Sequence, residues 1–237
     1  MGIALPDVKP PQNALPALTV PDIFLVMPHL PETVFVIASG PNGRDIAPSI
    51  PAGACCIAVN SAITMPRSFA WWLAFDYRFP LVYDWWSTVY VDATRKLFSG
   101  RLCNYLHLVP QARQIRPDAM FNYIPQIIAP TRLHPSWELT PPEKCLMPGL
   151  LRGGATATGC AVQFAYYGGA RNIVLCGADL YGTGHWDGFE NPNEHGILQG
   201  VWPYRDSLQN LITAVEARGT RVYTLSDTAL DLPGWCG

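Results

Sequence analysis

At 237 residues, with 49% hydrophobic and 14% charged residues, the chain can bury a core and falls within the size of one large domain. A net charge of −2 and sixteen scattered lysines and arginines give no basic field, so nucleic acid is not the expected partner. The apolar runs are too short to cross a bilayer and the first residues lack a basic start and apolar core, so the expected location is cytoplasmic.

Residues 1–31 hold seven prolines and no steady period, which predicts an extended arm that wraps the domain or stays mobile. From residue 33 onward, short apolar runs alternate with helical patterns. Strands are expected over 33–38, 55–59, 70–75, 172–176 and 221–225. This alternation predicts a single Rossmann-like α/β domain over 32–237, with a mostly parallel twisted sheet and helices on both faces. Residues 104–150 are rich in proline and aromatics with little periodicity, which predicts an irregular excursion beside the substrate. A helix over 156–167 ends at Gly168-Gly169 and feeds the strand at 172–176. In a later helix Asp206 reads as the cap, Gln209 follows three residues on, and Gly219 closes the pattern. None of the seven cysteines forms a C-x-x-C pair, so buried free thiols are expected rather than zinc.

Ligands bind open α/β sheets at the carboxyl ends of the strands, so the loops there carry the functional expectations. The first apolar run, Val34-Phe35-Val36-Ile37-Ala38, empties into Ser39-Gly40-Pro41-Asn42-Gly43, a turn whose backbone N–H groups point to a nucleotide, although an ordinary turn reads the same way. Asn60 after the second strand offers a donor and an acceptor to a base edge or ribose, and Asp76 after the third suits ribose hydroxyls or a metal. Arg152-Gly153-Gly154-Ala155-Thr156 opens a helix and is a second phosphate candidate; the alternative is a glycine hinge with threonines capping the helix. Asp179 and Tyr181 lie in Gly177-Ala178-Asp179-Leu180-Tyr181, which leads into a glycine-rich lid over 181–200 carrying His185 and His195. A histidine there can take a proton near neutral pH, and a tyrosine hydroxyl can stabilise a departing phosphate. There is no Gly-x-Ser-x-Gly or His-Glu-x-x-His, and His185, Asp187, Glu190 and His195 match no standard metal spacing, so no metal site is expected.

In this order, Val-Phe-Val-Ile-Ala-Ser-Gly-Pro-Asn-Gly, Ile-Ala-Val-Asn-Ser-Ala, Phe-Asp-Tyr and the stretch from Gly153 to Tyr181 resemble the shared core of two related groups. One is the bacterial sialyltransferases that use CMP-sialic acid; the other is the 6-hydroxymethylpterin diphosphokinase-like family, which includes motility-associated glycosyltransferases. The first resemblance implies that Gly40, Pro41 and Asn60 meet a cytidine nucleotide and that Gly153 and Gly154 hold substrate. It also implies that Tyr181 meets the leaving phosphate and that His195, with His185 as the alternative, is the base, with no cofactor required. Ser39 stands where that group has asparagine, while Asp76 and Gly-Gly-Ala-Thr sit closer to the second group. There, ATP with Mg²⁺ would deliver a diphosphate, and Asp76 or Asp179 would help hold the metal. The expected function is a nucleotide-dependent transferase, foremost a glycosyltransferase joining a nucleotide-activated sugar to a glycan or small alcohol. A nucleotide-sugar-binding protein without turnover fits the same features, and peripheral membrane association or a homo-oligomer is compatible with all three.

Overall fold

A strand covered on both faces needs apolar side chains at successive positions, and this chain repeats that pattern. The computed structural model describes residues 20–75, 94–106, 116–123, 127–128, 138–180 and 204–237. In chain order the first half contributes β1 (Thr33–Ile37), α1 (Pro41–Ile46), β2 (Cys55–Val59), β3 (Trp71–Ala74), β4 (Arg95–Ser99), α2 (Gly100–Leu106) and β5 (Ala119–Phe121). The second half contributes the short β6 (Ile127–Ile128) and β7 (Glu138–Leu139), then α3 (Pro142–Cys145), α4 (Ala157–Tyr167), β8 (Asn172–Cys176), α5 (Tyr204–Glu216) and β9 (Arg221–Thr224).

Seven strands form one wholly parallel sheet in the order β5-β4-β3-β2-β1-β8-β9, and β6 pairs with β7 in a separate antiparallel ribbon. In the central strand β1, Phe35 lies between Cys56 and Val174, and Val36 between Ile57 and Leu175. Side chains alternate between the two faces. Val34, Val36, Ile57 and Leu73 pack with Phe164 of α4 and Leu211 of α5, while Phe35, Ile37, Cys56 and Phe98 pack with Leu102 of α2 on the other side. The expected α/β architecture with helices on both faces is therefore present. The strand order reverses at β1, since the chain steps outward to β5 and then returns to β8 on the opposite side; that reversal opens a crevice at the carboxyl ends of β1 and β8.

Residues 20–31 lie against the domain: Ile23 and Leu30 are buried in the core, and the Pro21 carbonyl accepts the Met120 N–H of β5 at 2.9 Å. Two expectations need correction. The stretch 104–150 is not simply irregular, because its described part supplies β5 and α3, and β4 just before it was also absent from the expected strands. Asp206 is not the cap of α5, which starts two residues earlier at Tyr204; it sits in the first turn, where the positive helix end also favours a carboxylate. Gln209 instead ties the helix to Asp231, accepting its N–H at 2.9 Å.

The outer edge of β9 is also occupied. Thr224 donates its N–H to the Pro233 carbonyl at 3.0 Å and accepts from Trp235 at 2.9 Å, and the Trp235 ring packs edge-on against Tyr223.

Helix α4 is buried along most of its length, between the sheet and α5. At Gly159 the fit leaves no space for a methyl group: a Cβ would overlap the Gly153 carbonyl and approach Leu211 Cδ2 at 3.0 Å. Helix propensity alone would make Gly159→Ala stabilising by about 1 kcal/mol. The overlap reverses the sign, and urea unfolding is expected to show a loss of about 1–3 kcal/mol; a gain in stability would mean that the α4–Gly153 contact is looser than described.

Candidate functional site

The carboxyl ends of the strands are laced to one another by loop residues. Ser99 Oγ donates to the Phe75 carbonyl at 2.6 Å, joining the ends of β4 and β3, and the Phe75 N–H donates to Asn60 Oδ1 at 3.1 Å, joining β3 to β2. Ser61 Oγ donates to Ser39 Oγ at 3.0 Å, and Ser39 Oγ donates to the Val59 carbonyl at 3.1 Å, joining β1 to β2. Gly40 N–H reaches the Gly177 carbonyl at 2.9 Å and Gly177 N–H reaches Ser226 Oγ at 2.9 Å, which carries the rim across β8 to the end of β9.

At the crevice, the turns after β1 and β8 press together. A Cβ at Gly177, where φ is +72°, would lie 2.8 Å from Gly43 Cα, and one at Gly40 would overlap the Gly177 carbonyl and lie 2.6 Å from Asp179 Oδ2. This contact alters the role expected for the first turn. Pro41 has no N–H, Gly40 gives its own to Gly177, and Asn42 gives its backbone N–H to Asp179 Oδ2 at 3.0 Å. The start of α1 is thus capped by a carboxylate from the other turn, which occupies N–H groups expected to face a nucleotide.

Asp179 is 4% exposed, and among the described residues its Oδ1 has no hydrogen-bond partner. Burial pushes its carboxyl above the ordinary value; the Asn42 donors oppose that shift and the Asp227 charge adds to it. Leu180, the next residue, has φ +57°, and Asn60 has φ +50°; they are the two non-glycine residues with left-handed backbone among those described. Both stand just beyond strand ends on the same edge of the sheet. Strained positions of this kind concentrate at ligand sites.

Asn60 is held from three sides. Its carbonyl accepts the Trp72 indole N–H at 3.0 Å, its Oδ1 accepts Phe75 N–H, and its backbone opens a 3₁₀ turn over Asn60–Thr64. Because a backbone N–H needs an oxygen, that bond fixes which way the side-chain amide faces. The half-buried ring of Phe75 meets that of Tyr123 edge to face with centroids 4.4 Å apart. Neither ring stood among the expected site residues. Phe75 closes the strand expected over 70–75, whereas Tyr123 falls in the stretch expected to be irregular.

The loop before α4 is built for packing. Gly153 and Gly154 have φ +67° and +52°, and a Cβ on Gly154 would lie 2.7 Å from Leu208 Cα of α5. Of the donors expected to meet a phosphate, the N–H groups of Arg152 and Gly153 both go to Gln163 Oε1, at 2.6 and 2.9 Å. Thr156 is the N-cap of α4, its hydroxyl accepting from Gly159 N–H at 2.9 Å. Gln163, fully buried, also donates to the Cys145 carbonyl at 3.2 Å and so clamps the whole loop; a glutamine inside an apolar helix was its only sequence signal.

The cysteines are free. Burial pushes the thiols of Cys56, Cys103 and Cys176 up, to about 11, 12 and 12, which leaves them protonated near neutral pH. Among the described residues no group of three or more His, Cys, Asp or Glu comes together to hold a metal ion. Asp76, Tyr181, His185 and His195 lie outside the described residues.

Set against family models, curated proteins and solved structures, the chain matches none. No helix among the described residues is long and apolar enough to cross a membrane.

The buried carboxylate predicts a pH signature. Between the ordinary value of 3.8 and its raised folded value, the folded chain keeps a proton that the unfolded chain has lost, so this contribution to stability shrinks as pH climbs through the window. Asp179→Asn removes the titration. In urea unfolding from about pH 3 to about pH 8, the wild type is expected to lose stability relative to the variant through that window and then keep a constant offset. A difference that stays flat throughout would show that the carboxyl titrates at its ordinary value.

Proposed function

We propose that the chain is a nucleotide-dependent transferase that binds a nucleotide-activated sugar at the carboxyl ends of β1, β2 and β3 and passes the sugar to an acceptor hydroxyl. Asn60 carries the reading. Its oxygen is committed to Phe75, its orientation is fixed, and among the described residues its side-chain nitrogen has no partner, so it presents donors only. Phe75, whose backbone N–H that oxygen accepts, carries a half-buried ring set edge to face against that of Tyr123. A rigid donor suits a nucleobase that offers neighbouring acceptors on its edge, as cytosine does through O2 and N3.

In the transfer, the acceptor oxygen bonds to the anomeric carbon while the bond from that carbon to the phosphate oxygen breaks. The nucleotide leaves with the electron pair, and the acceptor proton passes to a base. The resemblance to CMP-sugar enzymes assigns the base to His195, with His185 as the alternative, and the phosphate contact to Tyr181.

A thermal-shift series with CMP, CDP, UDP-sugars and ATP with Mg²⁺ and a pterin tests the nucleotide. CMP at saturating concentration is expected to raise the melting temperature, since a ligand at a hundred times its Kd adds about 2.7 kcal/mol. Asn60→Asp keeps the acceptor for Phe75 and tolerates the left-handed backbone but removes the donors. Its CMP affinity should fall about tenfold or more. Release of CMP from a CMP-sugar in the presence of candidate acceptors then tests turnover. Stabilisation only by ATP with Mg²⁺ and a pterin, or by nothing in the series, overturns the reading.

A further inference from the structure

A second cleft, of about 500 Å³, lies between the segment around α3 and the loop that opens α4; its lining includes Thr140, Glu143, Lys144, Leu146, Met147 and Arg152. The segment that forms it is fixed to α4, because Gln163 binds the Cys145 carbonyl and the Arg152 N–H, and Tyr167 Oη donates to the Met147 carbonyl at 3.0 Å. The cleft is therefore a built feature.

Arg152 is poorly matched within it. A guanidinium has five N–H donors and is best met by the paired oxygens of an oxyanion. Here Nη2 rests on the Met147 thioether at 2.8 Å, Nη1 meets Thr140 Oγ1 at 3.5 Å, and Nε is buried with no partner among the described residues. Thioether sulfur is a weak acceptor. Among the described residues no carboxylate forms an ion pair with Arg152. Lys144 and Arg152 against Glu143 leave the lining one positive charge in excess, which suits a monoanion better than a dianion. Leu139, Pro141 and Leu146 add apolar wall, and a cleft of this size accommodates a small organic molecule.

We infer that this cleft binds a small organic acid: a monocarboxylate whose oxygens take Arg152 from Met147 and whose apolar body lies along Leu139, Pro141 and Leu146. The site is independent of the nucleotide reading, since none of its residues forms the rim around Asn60. Binding would displace the Met147 thioether, which makes that methyl group a local reporter.

The full chain, labelled at methionine methyl groups, is titrated with phenylacetate, with its neutral amide and with inorganic phosphate; Met147→Leu assigns the reporting signal. Phenylacetate is expected to shift the Met147 methyl with saturation, and the amide to bind about tenfold or more weakly. Arg152→Gln should weaken phenylacetate by a similar factor. Lys144→Gln, at an exposed position where folding is not in question, should weaken it about twofold to fivefold. Equal binding of acid and amide overturns the inference, as does phosphate binding as tightly as phenylacetate, a Met147 signal that does not move, or an affinity unchanged by both substitutions.

Discussion

Two backbones cross at the ends of β1 and β8 with no room for a methyl group between them, and the arrangement of the rim depends on that contact. Gly40, Gly43 and Gly177 bring the turns close enough for one to hydrogen-bond the other directly. Only at that spacing can Asp179 reach the start of α1 and cap it across the crevice. With the cap in place, Ser39 lies where it can tie β1 to β2, and the line of bonds continues through Asn60 to Phe75 and Ser99. Side-chain specificity at the rim is thus downstream of backbone sterics in the crevice.

The same contact changes what a glycine-rich turn means here. Such turns bind phosphate when their N–H groups point outward without partners. In the turn after β1 the protein's own carbonyl and carboxylate take the N–H groups of Gly40 and Asn42. Among the described residues the Asn60 side-chain nitrogen is a rim donor without a partner, and the residue's left-handed backbone is kept by tertiary bonds to Trp72 and Phe75.

Much of the sheet was legible because strands buried on both faces appear as unbroken apolar runs, as β1, β2 and β8 do. β4 opens on Arg95-Lys96 at its more exposed end and β5 is three residues long, so neither carries enough pattern to stand out; they are specified by pairing with neighbours. Asn60 was legible as a polar residue directly after an apolar run. Asp179 was legible as a position, but its partner Asn42 lies 137 residues away in sequence. Gly153-Gly154 reads identically as an anion cradle or as a packing point, and what separates the two is the approach of Leu208 from α5, which local sequence does not record.

Both outer strands of the sheet meet segments from outside it, Pro21 alongside β5 and Pro233 to Trp235 alongside β9. Open strand edges invite pairing with another chain. Here segments of the chain itself lie against both end strands of this sheet. Pairing of another strand onto either end of the seven-stranded sheet would first require one of these two flanking segments to peel away.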